Sequence, residues 1–311
     1  MSTLTAHPQT ALSHEAHPVL TPEQVRFFET NGFLSLDQIV TKEEVQKCRS
    51  ILDDLFRKRA GEKEGALFDT MAADSADTVP KSLELTNPMN YSSELRKTNY
   101  VRNATSLAKQ LLGDGAKLAS DMVILKPAEL GVGTPWHQDE AYRDPRFDYH
   151  ELTLWLPLQD VGLNSGCMEF IPGSHKQGIH PHRSPQNDAR IHAIECAQDL
   201  SDMEIVACPL PAGGCTLHHG RTLHCTTMNR APIARYAFIL VFHIPPTPND
   251  GNRTFSWLAE KQSARKDLKR NWILHGGVFV LAWRKFRRGD LWDLAGIRYS
   301  VKQGLRAIRK R

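Results

Sequence analysis

Apolar residues recur at intervals of three and four through Val45, Cys48, Ile51, Leu52, Leu55 and Phe56, with Lys, Arg and Asp between them. That period predicts an amphipathic helix lying against a sheet. Thr41 with Glu44 three residues on marks its start as a capping box, and Thr21, Pro22 and Gln24 mark an earlier helix in the same way. A third helix is expected near 94–112, ending at Gly113. Residues 61–91 show no clear period and carry Gly, Asp, Ser and Pro, so they predict an irregular segment able to lie over a site mouth. From Lys117 onward the pattern changes to short apolar runs at 118–125, 152–158, 167–171, 205–210, 214–219 and 234–244, separated by turns such as 172–174 and 211–214. Such spacing predicts an antiparallel sandwich or barrel, so the fold class is mainly β with flanking helices.

Composition narrows the class. A chain of 311 residues with 41% hydrophobic content can bury a large core. The six cysteines form no Cys-x-x-Cys pair and are spread widely, which argues against a zinc ribbon or a disulfide framework and for reduced thiols in a cytoplasmic protein. Residues 1–20 have neither an apolar run nor a basic flank and read as a disordered lead-in rather than a signal peptide. The stretch 272–283 is too short to span a bilayer. Charge is divided: residues 261–311 hold fifteen Lys or Arg against three Asp, a net of +12, so the first 260 carry −8 of the total +4. These shifts suggest a lead-in at 1–20, one β domain at 21–250 and a basic, Trp-containing extension at 251–311.

The candidate chemistry lies in His137 and Asp139, followed by His224 and, eleven residues later, Arg235. Residues i and i+2 of a strand share a face, so His137 and Asp139 can bind one metal from adjacent positions, with His224 as third ligand. Two imidazoles and one carboxylate leave open positions, as in non-haem Fe(II) oxygenases. Taken alone, a His-x-Asp pair in a chain with 14 His could equally mean zinc or nothing. Arg235 sits in the apolar run 233–239, and a buried guanidinium requires an anionic partner such as a carboxylate.

The stretches Trp136-His-Gln-Asp-Glu140, 154–158, Asn164 to His175 and His218-His-Gly-Arg-Thr-Leu-His224, with Asn229 and Arg235, resemble the phytanoyl-CoA dioxygenase family, more weakly over 21–244. The resemblance implies a double-stranded β-helix core (jelly roll, cupin-like) with His137, Asp139 and His224 as iron ligands. It implies Fe(II), 2-oxoglutarate and O₂ as cofactors, with the cosubstrate's far carboxylate on Arg235. Thr226 resembles the hydroxyl residue that shares this carboxylate, with Cys225 in place of the more usual Gly, and Trp155 resembles an aromatic lining the cosubstrate pocket. The reaction implied is decarboxylation of 2-oxoglutarate to succinate with hydroxylation of a small organic or lipid-like substrate. Related halogenases have Ala or Gly where Asp139 stands.

Among the remaining histidines, alternation lets only one of His218 and His219 face the site, and His218 is the candidate to orient a ligand. His175 reads as part of a structural turn, and His180, His182 and His192 as exposed loop residues. Loops at 61–91, 140–150 and 176–203, with Tyr142 and Arg143, are expected to face substrate. Basic residues interleaved with Trp272, Trp283 and Trp292 suit a solvated helical cover, a peripheral contact with an anionic membrane, or an acidic carrier protein. No nucleic-acid motif accompanies them. A non-catalytic jelly-roll binding protein and a zinc hydrolase stand as alternatives.

Overall fold

The computed structural model describes residues 18–73, 79–249 and 251–262, with 269, 271–273, 277, 280 and 283. The expected lead-in, apart from 18–20, and most of the basic extension lie outside the described residues. Helix α1 (Pro22–Asn31) begins with the full capping box between Thr21 and Gln24 and ends at Gly32, whose φ of 81° suits glycine. Helix α2 (Lys42–Arg57) has half of one. Thr41 accepts from the Glu44 amide, but the Glu44 carboxylate accepts from the Asn99 amide at 2.5 Å, so the side chain expected to close the cap ties α2 to α3 (Asn99–Leu112). The third helix divides where expectation had it continuous: a 3₁₀ segment, Ser93–Lys97, precedes Thr98, whose extended backbone and hydroxyl cap α3.

Among the described residues thirteen strands follow one another: β1 (Phe33–Leu36), β2 (Leu67–Asp69), β3 (Leu83–Thr86), β4 (Lys117–Lys126), β5 (Thr134–His137), β6 (Phe147–Pro157), β7 (Met168–Phe170), β8 (His182–Arg183), β9 (Glu195–Cys196), β10 (Val206–Cys208), β11 (Cys215–His219), β12 (His224–Thr226) and β13 (Arg235–Pro248). They form an antiparallel major sheet, β1-β11-β6-β13-β4-β3-β2, facing a minor sheet, β10-β7-β12-β5, with β8 and β9 paired apart. This is the double-stranded β-helix. Residues 61–91 were expected to be irregular, yet β2 and β3 extend the major sheet by two strands; runs of three and four residues are too short to show a period.

Alternation along the central strands divides two cores. On β13, Tyr236, Phe238, Leu240 and Phe242 pack outward with α2 and α3, where the Tyr100 hydroxyl lies 3.0 Å from the carbonyls of Leu154 and Phe238. Ala237, Ile239 and Val241 face inward with Trp155, Met168 and Phe170. His224 starts β12, and the loop 227–234 leads from it to the strand that Arg235 opens; because β12 and β13 belong to opposite sheets, that connection crosses the sandwich. Its turn is held by Asn229, whose amide group donates to the carbonyls of Pro127 and Ile233 at 2.9 Å.

Residues 251–262 fold back onto the barrel. Trp257 donates its indole N–H to the Ala141 carbonyl (2.9 Å) and packs with Phe255, Ala141 and Ile194, while Lys261 Nζ reaches the carbonyls of Ile191 and Ala193. Trp257→Ala is expected to destabilise the protein by about 3–5 kcal/mol, read as a lowered urea midpoint. All six cysteines are buried and unpaired, and among the described residues no helix is long and apolar enough to cross a membrane.

Candidate metal centre and cosubstrate pocket

Strands β5 and β12 are neighbours in the minor sheet, and their register sets His137 directly opposite His224. Asp139 opens a 3₁₀ turn (Asp139–Tyr142) just past β5. One donor atom from each of these three residues lies within 4.8 Å of the others. The His137 and His224 Nε2 atoms stand 3.7 and 3.6 Å from Asp139 Oδ1. Each imidazole places Nδ1 against a backbone carbonyl, that of Pro135 at 2.8 Å and of Thr222 at 2.9 Å, so Nδ1 donates and Nε2 presents its lone pair to the centre. Burial holds both rings below the ordinary histidine pKa, keeping them in the neutral form that ligates. Burial opposes the charge on Asp139, but the neighbouring imidazoles of His224, His218 and His137 outweigh it and hold the carboxyl well below its usual range.

The second oxygen of Asp139 is held separately. Thr153 donates to Oδ2 at 2.6 Å, and His218 Nε2 lies 3.2 Å from it, so the carboxylate presents only Oδ1. His218 faces inward, as alternation requires, while His219 accepts from the Arg221 amide. Between the two ligands of the His-x-Asp pair, buried Gln138 donates to the carbonyls of Gly178 and Arg221 and accepts from the His180 amide. Its own amide donates to His182 Nε2. Fully buried Glu140 then receives Arg221 at 2.7 and 3.0 Å and Arg253 at 3.3 Å. Residues on either side of Asp139 are thereby fixed. Thr153→Val should leave the fold intact and weaken iron binding roughly 10–100-fold, the usual cost of a lost outer partner, as measured by competition with a chelator.

Arg235 opens β13 on the major sheet, opposite Lys126 of β4. Its guanidinium is fully buried, lies over the Trp155 ring at 5.4 Å, and leaves Nε and Nη1 without a protein partner. Lys126, also fully buried, donates to Thr226 Oγ1 at 2.5 Å and to the Thr227 carbonyl at 3.2 Å. Burial pulls Arg235 down to about 9, and burial with the Arg235 charge pulls Lys126 well below its ordinary value. Two adjacent desolvated cations are unfavourable unless an anion joins them. Cys225, where the family more usually has Gly, turns its thiol away to Glu169 at 3.3 Å, so His224 and Thr226 keep their common inward face.

A cavity of about 420 Å³ is lined by His137, Asp139 and His224 together with Thr226, which holds Lys126, and Trp155, over which Arg235 lies. The three loops expected at the mouth contribute Thr70 and Asn87, Tyr142 and Arg143, and His192 and Ala193. Sequence reasoning passed over Lys126, Thr153 and Glu84. The signal for Lys126 was a lone cation at the inward phase of an apolar strand, in step with Met122 and Ile124. His182 and His192 were expected to be exposed. His182 is instead buried, where it accepts the Gln138 amide, and His192 lines the cavity in a stack with Tyr142. Nothing in their loop composition marks that difference.

A family model described as phytanoyl-CoA dioxygenase (PhyH) matches residues 28–237. The chain belongs to the phytanoyl-CoA dioxygenase family. Within this family it is 26% identical over 273 residues to phytanoyl-CoA dioxygenase 1 of Oryza sativa subsp. japonica, covering 78% of this chain and 95% of the relative. It is 25% identical over 252 residues to phytanoyl-CoA dioxygenase of Arabidopsis thaliana, covering 71% and 88%. Among solved structures it is similar to EvdO2 from Micromonospora carbonacea var. aurantiaca complexed with 2-oxoglutarate, with 29% identity, a TM-score of 0.66, and coverage of 78% of this chain and 99% of that one.

Proposed function

We propose that His137, Asp139 and His224 hold Fe(II), that Arg235 with Lys126, Thr226 and Trp155 holds 2-oxoglutarate, and that the enzyme hydroxylates a C–H bond of a small molecule. The protein is an Fe(II)/2-oxoglutarate-dependent oxygenase, and the single observation carrying this assignment of residues is the buried Arg235 guanidinium, two of its nitrogens without a protein partner, lying over Trp155, which lines the same cavity as the three ligand residues. Residues and groups fit: two neutral imidazoles and one carboxylate suit Fe(II), and a guanidinium beside an ammonium suits the far carboxylate of a dicarboxylic oxoacid. When bound, iron supplies the oxidation in which O₂ gives one oxygen atom to succinate and one to substrate, with loss of CO₂.

The chain's own residues divide the remaining work. Arg235 and Lys126 fix the cosubstrate's far end, with Thr226 Oγ1 between Lys126 and the Thr134 amide. Trp155, Ile239 and Met168 exclude water from its carbon chain. Thr153 and His218 keep Asp139 from turning its second oxygen to the metal. Retention of Asp139 supports hydroxylation over halogenation, because the carboxylate fills the place a halide would take.

The catalytic unit is best drawn as 21–262, since Trp257 and Lys261 hold the mouth loops. A cytoplasmic location fits six buried, unpaired thiols. The basic residues from 261 onward fit an anionic surface, either a membrane or an acidic carrier protein. The oxygenase assignment is tested by adding Fe(II) and 2-oxoglutarate to the protein without oxygen. A visible metal-to-cosubstrate charge-transfer band is expected, and its absence would overturn the reading.

A further inference from the structure

Two of the three proposed metal ligands are placed by a ladder, since His137 and His224 face each other across β5 and β12. Asp139 has no such support. It lies past the end of β5 at the start of a 3₁₀ turn, so its position depends on what holds the residues around it. Part of that hold comes from the barrel: the Glu140 amide donates to the Gly220 carbonyl at 2.9 Å, and Arg221 reaches the Glu140 carboxylate. The rest comes from residues 251–262, which lie beyond the stretch 28–237 that the family model matches. Arg253 donates to the Glu140 carboxylate at 3.3 Å and to the Pro145 carbonyl at 3.1 Å, and it pairs with Asp148 at 3.3 Å. Helix α4 (Ser256–Glu260) carries Trp257, whose indole N–H meets the carbonyl of fully buried Ala141 at 2.9 Å; among the described residues no other donor reaches that carbonyl. The same indole lies 5.4 Å from the His182 ring, and His182 accepts the Gln138 amide. Gln138, Glu140 and Ala141 are thus each tied to this segment, directly or through one side chain.

We infer that residues 251–262 form a strap that sets Asp139 for metal binding, with Arg253 and Trp257 as its positioning residues. This rests on the oxygenase reading above. A 3₁₀ turn is a weak support, because its hydrogen bonds are few and of poorer geometry than those of an α-helix. Left to itself, the turn Asp139–Tyr142 would sample arrangements in which Oδ1 swings away from the imidazole nitrogens that now stand 3.7 and 3.6 Å from it. Thr153 and His218 fix Oδ2 only while the backbone keeps the carboxylate within their reach. Metal affinity is reduced by the fraction of protein in the binding-competent arrangement, so a strap that raises this fraction tightens binding without touching the metal. Its two contacts act in the same direction. Without the indole donor a buried carbonyl is unpaired, and without Arg253 the fully buried Glu140 keeps Arg221 as its remaining guanidinium partner among the described residues. Either change favours a turn that opens toward water.

The test uses the full-length protein and begins with the anaerobic band of Fe(II) and 2-oxoglutarate, so that failure of the oxygenase reading is seen first; without the band, both readings fall. With the band present, Fe(II) affinity is measured without oxygen by competition with a chelator. Trp257→Phe keeps an aromatic ring beside Phe255 and lacks the N–H, and it is expected to weaken Fe(II) binding about tenfold, the low end of the cost of a lost outer partner. Arg253→Met reads the other arm of the strap and is expected to weaken binding to a similar extent, so the inference stays testable if one variant does not fold. Tyr100→Phe is the control, because it removes a buried donor of the same kind from the outer core, where the hydroxyl meets the carbonyls of Leu154 and Phe238. Its Fe(II) affinity is expected to equal that of wild type. A second readout is amide exchange in the metal-free protein: Glu140 and Ala141 should exchange about tenfold faster in Trp257→Phe than in wild type, and slow again when Fe(II) saturates the site. Wild-type Fe(II) affinity in a folded strap variant overturns the inference while the oxygenase reading stands. An equal loss of affinity in Tyr100→Phe overturns it too, since the effect would then be one of general stability.

Discussion

Asp139→Ala protein is expected to show no charge-transfer band with Fe(II) and 2-oxoglutarate and to release succinate only at background. The expectation follows from geometry: Oδ1 stands 3.7 and 3.6 Å from the two imidazole donors, and Oδ2 is already committed to Thr153 and His218. Removing the side chain takes away the one anionic ligand that balances a dication. The loss should therefore exceed the roughly 10–100-fold expected when only an outer partner is lost. Equilibrium dialysis against Fe(II), run beside Thr153→Val, gives the order of effects directly. If Asp139→Ala bound iron as tightly as Thr153→Val, the metal would have to lie elsewhere.

Arg235→Met should separate folding from function. The guanidinium and the Lys126 ammonium are both desolvated and repel one another, so the cosubstrate-free protein gives up little by losing Arg235. Its melting temperature is expected to hold or rise. Affinity for 2-oxoglutarate should fall by about 30- to 4000-fold, the range for truncating one partner of a buried charge pair. In wild type, cosubstrate at about a hundred times its Kd should add about 2.7 kcal/mol of stability, and the variant should lose that gain at the same concentration. Arg235→Lys is not a conservative replacement here, because a point charge cannot hold both carboxylate oxygens. Wild-type affinity in Arg235→Met would remove this residue from the pocket.

The candidate metal ligands were the most legible part of the chain. The His-x-Asp pair, the distant His224 and the eleven-residue interval to Arg235 are local or nearly local patterns, and the fold brings the three donors together, although Asp139 lies in the turn past β5 and not on the strand from which its spacing was argued. The helix starts at Thr21 and Thr41 were legible because capping chemistry is local. What stayed hidden depends on partners far away in sequence. Glu44 leaves its cap for Asn99, and Thr153 and His218 meet at an oxygen of Asp139 only because β6 and β11 are paired. Lys126 reads as an interruption in a strand until Arg235 is seen opposite it. β2 and β3 have too few residues to declare a period, and they acquire strand structure from the edge of β4.

Of the proposed metal ligands, His137 and His224 belong to the minor sheet and Asp139 to the turn just past β5, whereas Lys126 and Arg235 belong to the major sheet. An oxoacid bound to iron at one end and to Arg235 at the other is thus a crosslink between two layers that the chain itself joins by connections around the rim. Opening of the sandwich and departure of the cosubstrate become a single event, so amides of β12 and β13 should exchange with solvent at rates set by how tightly that small dicarboxylate is held.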